Sequence, residues 1–516
     1  MLPRRVAGFS RLNCRKRSCA LLLLCVATAI ALPAQTFTSL YSFDGTDGYA
    51  PYGGLVQGTD GDLYGTTGYG GANVDCEFYP GVTTGCGTVF KITLSGTPTL
   101  TTLYSFCSKS NCADGAVPYG TLVLATNGDF YGTTSGGGAN GEGGTIFKVT
   151  AAGKLTTLYS FCSKSNCADG EGPSGLIQAT NGVFYGTTGA GGTYSRGTVF
   201  KVTAAGKLTT LYSFCLQSGC ADGEGPSSGS LIQATDGNLY GTTSTGGANG
   251  DGAVFKITLS GKLTTLYSFD YTDGENPNAG LAQASNGNLY GTAYYGGAYN
   301  SPYGFGTVFD FEVTPGGTLT LLDSFDGTNG MWPTAGLILA TDGNLYGSNQ
   351  LGGAYGVGGT IFNMSPTGTL TTLYSFCAQS DCKDGYGPLA APVQDTNGTF
   401  YGTTWLGGVS STCEGCEPGG TSGSPGYGTV FSLSMGLGPF VTTNPTSGKV
   451  GSSVMILGND LTGATAVSFN GTAASFKIDS SSEIKAKVPT GATTGTVTVT
   501  TSSGTVLNSN VAFVLK

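Results

Sequence analysis

Short runs of β-branched and aromatic residues alternate with glycine-rich turns along almost the whole chain, and they do so in register. YSF begins at Tyr41, Tyr104, Tyr159, Tyr212, Tyr267 and Tyr374, with DSF at Asp323 as a seventh copy. YGT or YGS begins at Tyr64, Tyr131, Tyr185, Tyr240, Tyr290, Tyr346 and Tyr401. GTVF or a variant begins at Gly87, Gly144, Gly197, Gly252, Gly306, Gly359 and Gly428. Self-similarity of this kind marks a repeat architecture. One unit reads as four strands, which in the third copy are GLIQAT from Gly175, VFYGTT from Val183, GTVFKVT from Gly197 and KLTTLYSF from Lys207. An Asn-Gly or Asp-Gly pair joins the first two strands in each copy, here Asn181-Gly182, and predicts a type I′ hairpin turn. Seven four-stranded antiparallel units predict an all-β fold, a seven-bladed β-propeller.

The ends of the array predict closure. The last copy stops at GTVFSLS with no LTTLYSF after it, while FTSLYSF, from Phe37 to Phe43, stands without partners at the other end. Pairing that strand into the last sheet removes the open edges. An open solenoid would leave both ends uncapped.

Composition fits this reading and adds the compartment. The 516 residues hold 90 glycines, 27 tyrosines and no histidine. Residues 1–34 read as a secretory signal: Arg4, Arg5, Arg11, Arg15, Lys16 and Arg17 precede or enter an apolar run from Cys19 to Leu32, with cleavage expected after Ala34. That run falls short of the ~20 residues of an ordinary membrane span, and no later segment is long and apolar enough for an anchor. Leu24 is a poor fit before Cys25 for a lipoprotein signal. The mature chain keeps 16 basic against 31 acidic residues, a net of −15, which argues against nucleic acid as a partner. Twelve cysteines then remain, in close pairs: Cys76/Cys86, Cys107/Cys112, Cys162/Cys167, Cys215/Cys220, Cys377/Cys382 and Cys413/Cys416. Local pairs behind a signal peptide read as disulfides of a secreted or cell-surface protein. Zinc is disfavoured, since no second C-x-x-C pair and no histidine accompany Cys413 and Cys416.

Two family resemblances follow from these motifs. The recurring LYSF, DGNLYGTT, GG and GTVFK elements of residues 36–434 resemble the glycine-rich tandem repeats called GloVer, found in exported bacterial proteins. That resemblance implies export and brings no activity with it. From Gly438 the pattern changes, and GPFVTTNPTSGKVGSSVMILGNDL, AVSFNGTAASF and EIKAKVPTGATTGTVTVTTSSG resemble an IPT/TIG domain. The resemblance implies an immunoglobulin-like β-sandwich that serves as a spacer or interaction module. The expected organisation is a signal peptide at 1–34, a propeller at 35–434 and an IPT/TIG domain at 438–516, in a monomeric chain.

The strand order sends the tight hairpin turns to one end of the propeller and the longer connections to the other. These connections include Gly68 to Cys86, Tyr294 to Phe305 and Trp405 to Tyr427. Loops on a rigid scaffold are where binding residues concentrate. Aromatics on that side that depart from the repeat are the binding candidates: Tyr69, Tyr294, Tyr295, Tyr303, Trp332, Tyr355 and Trp405, with Tyr49, Tyr52, Tyr119 and Tyr386 beside them. Such rings stack on sugars and are enriched in protein contacts, so a glycan or a cell-surface protein is the expected partner. The carboxylates Asp47, Asp114, Asp169, Asp222, Asp273 and Asp384, with Asn329 in the sixth copy, have the oxygen chemistry of a calcium site, but turn capping is the favoured explanation for a residue in nearly every unit. No cofactor or metal ligand is assigned beyond that. Gln57, Gln178, Gln233, Gln283 and Gln394, replaced by Leu124 and Leu339 elsewhere, line the first strand. They are expected to fill the channel and bond neighbouring strands. Without histidine a Ser-His triad is excluded. No catalytic residue is named; the alternative to a non-enzymatic binding module is a carbohydrate-active hydrolase or lyase with two carboxylates among Glu142, Glu171, Glu224, Asp251 and Glu275.

Overall fold

The computed structural model describes residues 35–74, 76–79, 82–226, 231–299, 303–314, 317–409 and 426–516. The expected signal peptide at 1–34 and the Cys413/Cys416 pair lie outside the described residues. The third copy forms four antiparallel strands in sequence order, Glu171–Gln178, Phe184–Ala190, Thr198–Val202 and Leu208–Ser213. Seven sheets of this order are present among the described residues, and they build a β-propeller. In the fourth sheet Glu224–Pro226 and Ile232–Gln233 both pair with Leu239–Thr245. No helix among the described residues is long and apolar enough to cross a membrane.

The hairpin turns differ from expectation. Asn181 does not take a positive φ, whereas Gly182 does, at +78°. Gly182 N–H donates to Ala179 O at 2.8 Å and Ala179 N–H to Val183 O at 2.9 Å. The connection therefore has three residues, a type I turn closed by a left-handed glycine, rather than the two of a type I′ turn. Asn181 earns its place differently, accepting the Val183 N–H at 3.0 Å and donating to the Tyr185 hydroxyl at 3.0 Å.

One aromatic contact joins every sheet to the next. The Phe of each YSF or DSF packs edge-to-face on the Phe of the following GTVF-type motif. The pairs are Phe43–Phe90, Phe106–Phe147, Phe161–Phe200, Phe214–Phe255, Phe269–Phe309, Phe325–Phe362 and Phe376–Phe431, with centroids 5.1–5.3 Å apart. The glycine of YGT makes room for it. A Cβ on Gly132 would lie 2.5 Å from Phe147 Cζ, and one on Gly65 equally close to Phe90 Cζ.

The ring closes as the termini of the array predict. Thr36–Ser42 pairs antiparallel with Thr429–Ser434 and forms the outer strand of the seventh sheet. Near the axis, Gln57 of the first sheet bonds Thr396 of the seventh, accepting its N–H at 3.3 Å and donating to its Oγ1 at 2.8 Å. The other glutamines repeat the link: Thr126, Thr180, Thr235 and Thr341 N–H donate to Gln178, Gln233, Gln283 and Gln394 at 2.9–3.0 Å.

The C-terminal domain is a two-sheet sandwich. One sheet holds Thr442–Asn444, Ser453–Leu457, Phe476–Ile478 and Glu483–Lys487; the other holds Ala466–Phe469, Thr472–Ala473, Val497–Thr500 and Val506–Asn508. Val454, Ile456, Phe469, Ile484, Val497 and Val499 fill its core. It docks on the hairpin-turn end of the propeller. Ser480 and Ser482 hydroxyls donate to Thr59 O at 3.2 and 2.7 Å, Asn444 Nδ2 to Leu124 O at 2.7 Å, and Asn459 Nδ2 to Thr396 Oγ1 at 2.8 Å. Lys516 Nζ reaches Thr180 Oγ1. The interface thus touches the first, second, third and seventh sheets.

Two departures from the repeat lie at this end of the propeller. Leu124, where most copies have glutamine, shares a hydrophobic cluster with Met455 and Leu457 of the sandwich. Asp395, where five other copies have alanine, is 1% exposed, and its Oδ1 has no hydrogen-bond partner among the described residues.

Two predictions follow from this packing. Gly132→Ala forces a methyl group into Phe147 and is expected to destabilise the protein by about 1–3 kcal/mol in urea unfolding. Burial pushes the Asp395 carboxyl from 3.8 up to about 6, against hydrogen bonds from Asn397, Thr396 and Asn459. A carboxyl raised in the folded state costs nothing below pH ~4 and progressively more as pH rises through 6. Asp395→Asn is therefore expected to stabilise by up to about 3 kcal/mol above pH 7 and to be neutral near pH 4, measured by urea unfolding at both pH values.

Candidate functional site

The connections between sheets are built around one carboxylate each. Asp114 is fully buried, and its carboxylate accepts the Tyr104 hydroxyl at 2.6 Å, the Ser108 N–H at 3.0 Å and hydroxyl at 2.8 Å, and the Lys109 N–H at 3.1 Å. Burial pushes this carboxyl up, but those donors outweigh it and hold it below the ordinary carboxylate value. Asp169 and Asp384 repeat the arrangement with Tyr159 and Tyr374, and Asp222 with Tyr212. Each of these four loops also contains a disulfide, Cys107–Cys112, Cys162–Cys167, Cys215–Cys220 or Cys377–Cys382, and a fifth bridge joins Cys76 to Cys86. In the cysteine-free loops Tyr41 donates to Asp47 at 2.5 Å and Tyr267 to Asp273. There burial raises the Asp47 and Asp273 carboxyls, and Asp44 or Asp270 alongside adds to the rise. The sixth copy exchanges both partners: Asp323 stands for the tyrosine and Asn329 for the aspartate, so two carboxylates do not confront one another. Asn329 still caps its loop, accepting the Asp326 N–H at 2.9 Å. These oxygens are committed to local donors, which explains their recurrence.

The candidate aromatics fall into two groups and one outlier. Tyr69 and Trp405 belong to the first. The Tyr69 and Tyr119 hydroxyls are 2.9 Å apart, Tyr52 packs on Tyr119 at 4.5 Å and on Trp405 at 6.0 Å, and all surround buried Tyr49 and Leu406. The indole Nε1 of Trp405 is buried with no hydrogen-bond partner among the described residues. Tyr294, Tyr295, Tyr303 and Trp332 form the second group, with centroids of Tyr295 at 4.5, 5.6 and 6.2 Å from those of Tyr294, Tyr303 and Trp332. Tyr294 also stacks on Trp332 at 5.8 Å and donates to Gln350 Oε1 at 3.0 Å. Tyr355 joins neither group and is 53% exposed.

Of the five candidate acids, the fold brings Asp251 and Glu275 together. Asn276 N–H donates to Asp251 O at 2.9 Å, and Glu275 exchanges both main-chain hydrogen bonds with Tyr295. Burial raises the Glu275 carboxyl and Asp251 adds to it; burial and then Asp270 raise Asp251. Glu224 is paired with Arg196 at 2.9 Å and Glu142 accepts the Gly137 N–H at 3.3 Å.

The Gloeobacter/Verrucomicrobia repeat matches residues 30–229 and 216–414, and an IPT/TIG domain matches residues 440–514. The chain belongs to the Gloeobacter/Verrucomicrobia repeat family. Among curated proteins nothing matches it. Solved structures overlap it at low similarity. The extracellular domain of a hybrid two-component system from B. thetaiotaomicron shares 12% identity at a TM-score of 0.48, over 92% of this chain and 59% of that one. The WD40 β-propeller domain of Doa1 shares 10% identity at 0.44, over 77% and 96%.

Within the Gloeobacter/Verrucomicrobia repeat, the residue before the inter-sheet proline takes a positive φ in every copy. Three copies use glycine there, at Gly172, Gly225 and Gly387, and four carry a side chain, Ala50, Val117, Asn276 and Trp332, the last at φ +59°. The long-loop end is also where apolar surface is exposed. Nine large hydrophobics of the repeat region are exposed among the described residues, and eight lie in the long connections, Leu321 being the exception. Tyr299 and Val357 belong to this set and were not singled out in the sequence, because a lone aromatic or valine in a variable loop has no periodicity to mark it.

Asp114→Ala would leave the Tyr104 hydroxyl and two loop N–H groups without their acceptor, at a cost on the order of 2–3 kcal/mol. Hydrogen exchange at Ser108 and Lys109 should speed up accordingly. Because the Asp114 carboxyl is lowered in the fold, the wild-type advantage over the alanine variant should be full at neutral pH and vanish as acid protonates it.

Proposed function

We propose that this chain is a non-enzymatic, exported interaction module whose long-loop end binds a glycan or a protein outside the cell. The carrying observation is the asymmetry of the propeller. Its hairpin-turn end is covered by the IPT/TIG domain over four sheets, while eight of nine exposed large hydrophobics of the repeat region lie at the opposite end. Apolar side chains gathered at one end of a rigid scaffold mark an interaction surface. Export rests on the five disulfides, which persist in oxidising compartments.

A second reading has one observation in its favour. Asp251 and Glu275, both raised, lie near one another, with Glu275 opposite Tyr295, a disposition compatible with glycoside cleavage by two acids. One experiment separates the readings. The secreted protein is screened on a polysaccharide and extracellular-protein array, and bound glycans are analysed for shortened products. Retention of an intact ligand, weakened at least about tenfold by Tyr303→Ala or Trp332→Ala, is the expected result. Absence of any ligand would sink the binding reading, and products lost in Glu275→Gln would replace it with the hydrolase.

A further inference from the structure

The second aromatic group sits in the most acidic part of the chain. From Leu263 to Cys382 there are nine carboxylates and not one lysine or arginine. Asp251 lies close enough to Glu275 to raise its carboxyl through space, and Asp270 close enough to Asp251 to do the same there. Glu275 stands opposite Tyr295 across an antiparallel bridge, which places its side chain on the same face as that ring. Tyr295 in turn contacts Tyr294, Tyr303 and Trp332. In the residue next to Glu275, the Asn276 Oδ1 acceptor is buried without a hydrogen-bond donor among the described residues. The main chain of Asn276 is held by Asp251 on one side and Tyr294 on the other.

We infer that this patch receives a basic segment of a partner protein, with a lysine or arginine seated against the rings of Tyr295, Tyr303 and Trp332. The chemistry of the three elements converges on a cation. Aromatic faces attract ammonium and guanidinium groups, more strongly where solvent is displaced. The carboxylates of Asp251, Asp270 and Glu275 supply the complementary charge, and no local basic residue of the fifth and sixth sheets competes for it. Asn276 Oδ1 offers the acceptor that an N–H donor needs. The occupant is a polypeptide rather than a small cation because exposed Tyr299 and Tyr303, in one loop, extend apolar surface past one side chain. The first aromatic group has the opposite character, since its orphan is a donor, Trp405 Nε1. This inference rests on the long-loop reading and narrows it to one sector and one charge.

The test uses the mature full-length chain and a fluorescent octalysine peptide at physiological salt, with the fully acetylated peptide as its uncharged counterpart. Octalysine should bind and the acetylated form should not. Asp251→Asn/Asp270→Asn/Glu275→Gln should weaken binding at least about tenfold, and Tyr303→Ala, which alters an exposed ring and cannot unfold the protein, by about threefold or more. A control that removes three other acids, Glu142→Gln/Glu171→Gln/Glu312→Gln, should stay within about twofold. Equal losses in the two triple variants, or no loss with Tyr303→Ala, would show diffuse attraction to an acidic protein and overturn the inference. If octalysine does not bind but the array yields an uncharged ligand sensitive to Tyr303→Ala, the cationic partner is refuted and the long-loop reading stands. Failure of both would remove both.

Discussion

Seven edge-to-face phenylalanine pairs, each seated over a glycine, hold this protein together. Each contact needs three residues from two neighbouring sheets: the Phe that ends one fourth strand, the Phe of the next third strand, and the glycine beneath it. A side chain at that glycine would occupy the ring's volume, with Cβ–Cζ separations near 2.5 Å at Gly65, Gly132, Gly291 and Gly402. The three motifs that recur in the sequence are therefore parts of one interlock. Because the interlock joins a sheet to its successor, it is complete only when the seventh meets the first. Phe43, delivered by the N-terminal strand, makes that last contact with Phe90. Closure also lets Gln57 bond Thr396 across 339 positions of sequence. A ring made from one repeated step has no weaker edge to fray, provided the first strand arrives.

This explains why the architecture was readable and much of its detail was not. The four strands, the closing segment and the pairing of cysteines depend on local patterns that repeat, and repetition filters out accident. The hairpin turn was misassigned because Asn-Gly is compatible with two turn types. The observed turn takes in the preceding Thr180 and lets Asn181 bond Tyr185, neither of which the dipeptide alone reveals. Leu124 stood out in the sequence as a departure from glutamine. Its reason is the C-terminal domain, distant in sequence, which a reading of periodicity cannot see. The exchange of Tyr and Asp for Asp323 and Asn329 was visible as two separate departures. Only the tyrosine–carboxylate bonds of the other copies show why they change together.

The carboxylates illustrate how a repeated polar residue can be structural in one setting and available in another. Asp114 and its counterparts take hydroxyl and main-chain donors from their own loops, and nothing in that arrangement needs a ligand. The cysteine-free loops are shorter and place Asp44 or Asp270 beside the capping carboxylate, so the charge is only partly compensated. In the fifth sheet this excess meets Asp251 from the neighbouring sheet and Glu275 from the same loop. A like-charged group of this kind raises its members' affinity for protons, and equally for any other cation that can approach. Three of the four disulfide-bridged loops carry a lysine that offsets such charge, Lys109, Lys164 and Lys383.

The two ends of the ring thus answer to different constraints. At the hairpin-turn end every turn must satisfy its own N–H groups within three residues and, on four sheets, also fit the sandwich. Gly398 shows the tolerance, since a Cβ there would lie 2.1 Å from Leu437 O. At the long-loop end the interlock has already been made one layer below, and a connection need only return the chain to the next first strand. Residues can therefore diverge there without loosening the ring. Trp332 carries that freedom furthest, placing the bulkiest side chain of the seven copies on a left-handed backbone that three of them fill with glycine and three with Ala50, Val117 and Asn276. Such strain persists where the surrounding structure over-determines it, and here the Phe305 carbonyl holds its N–H at 2.8 Å while Tyr294 and Tyr295 hold its ring. A scaffold that fixes an unfavourable tryptophan conformation next to exposed tyrosines has the rigidity that recognition requires, and the constraint that grants it is the closed ring beneath.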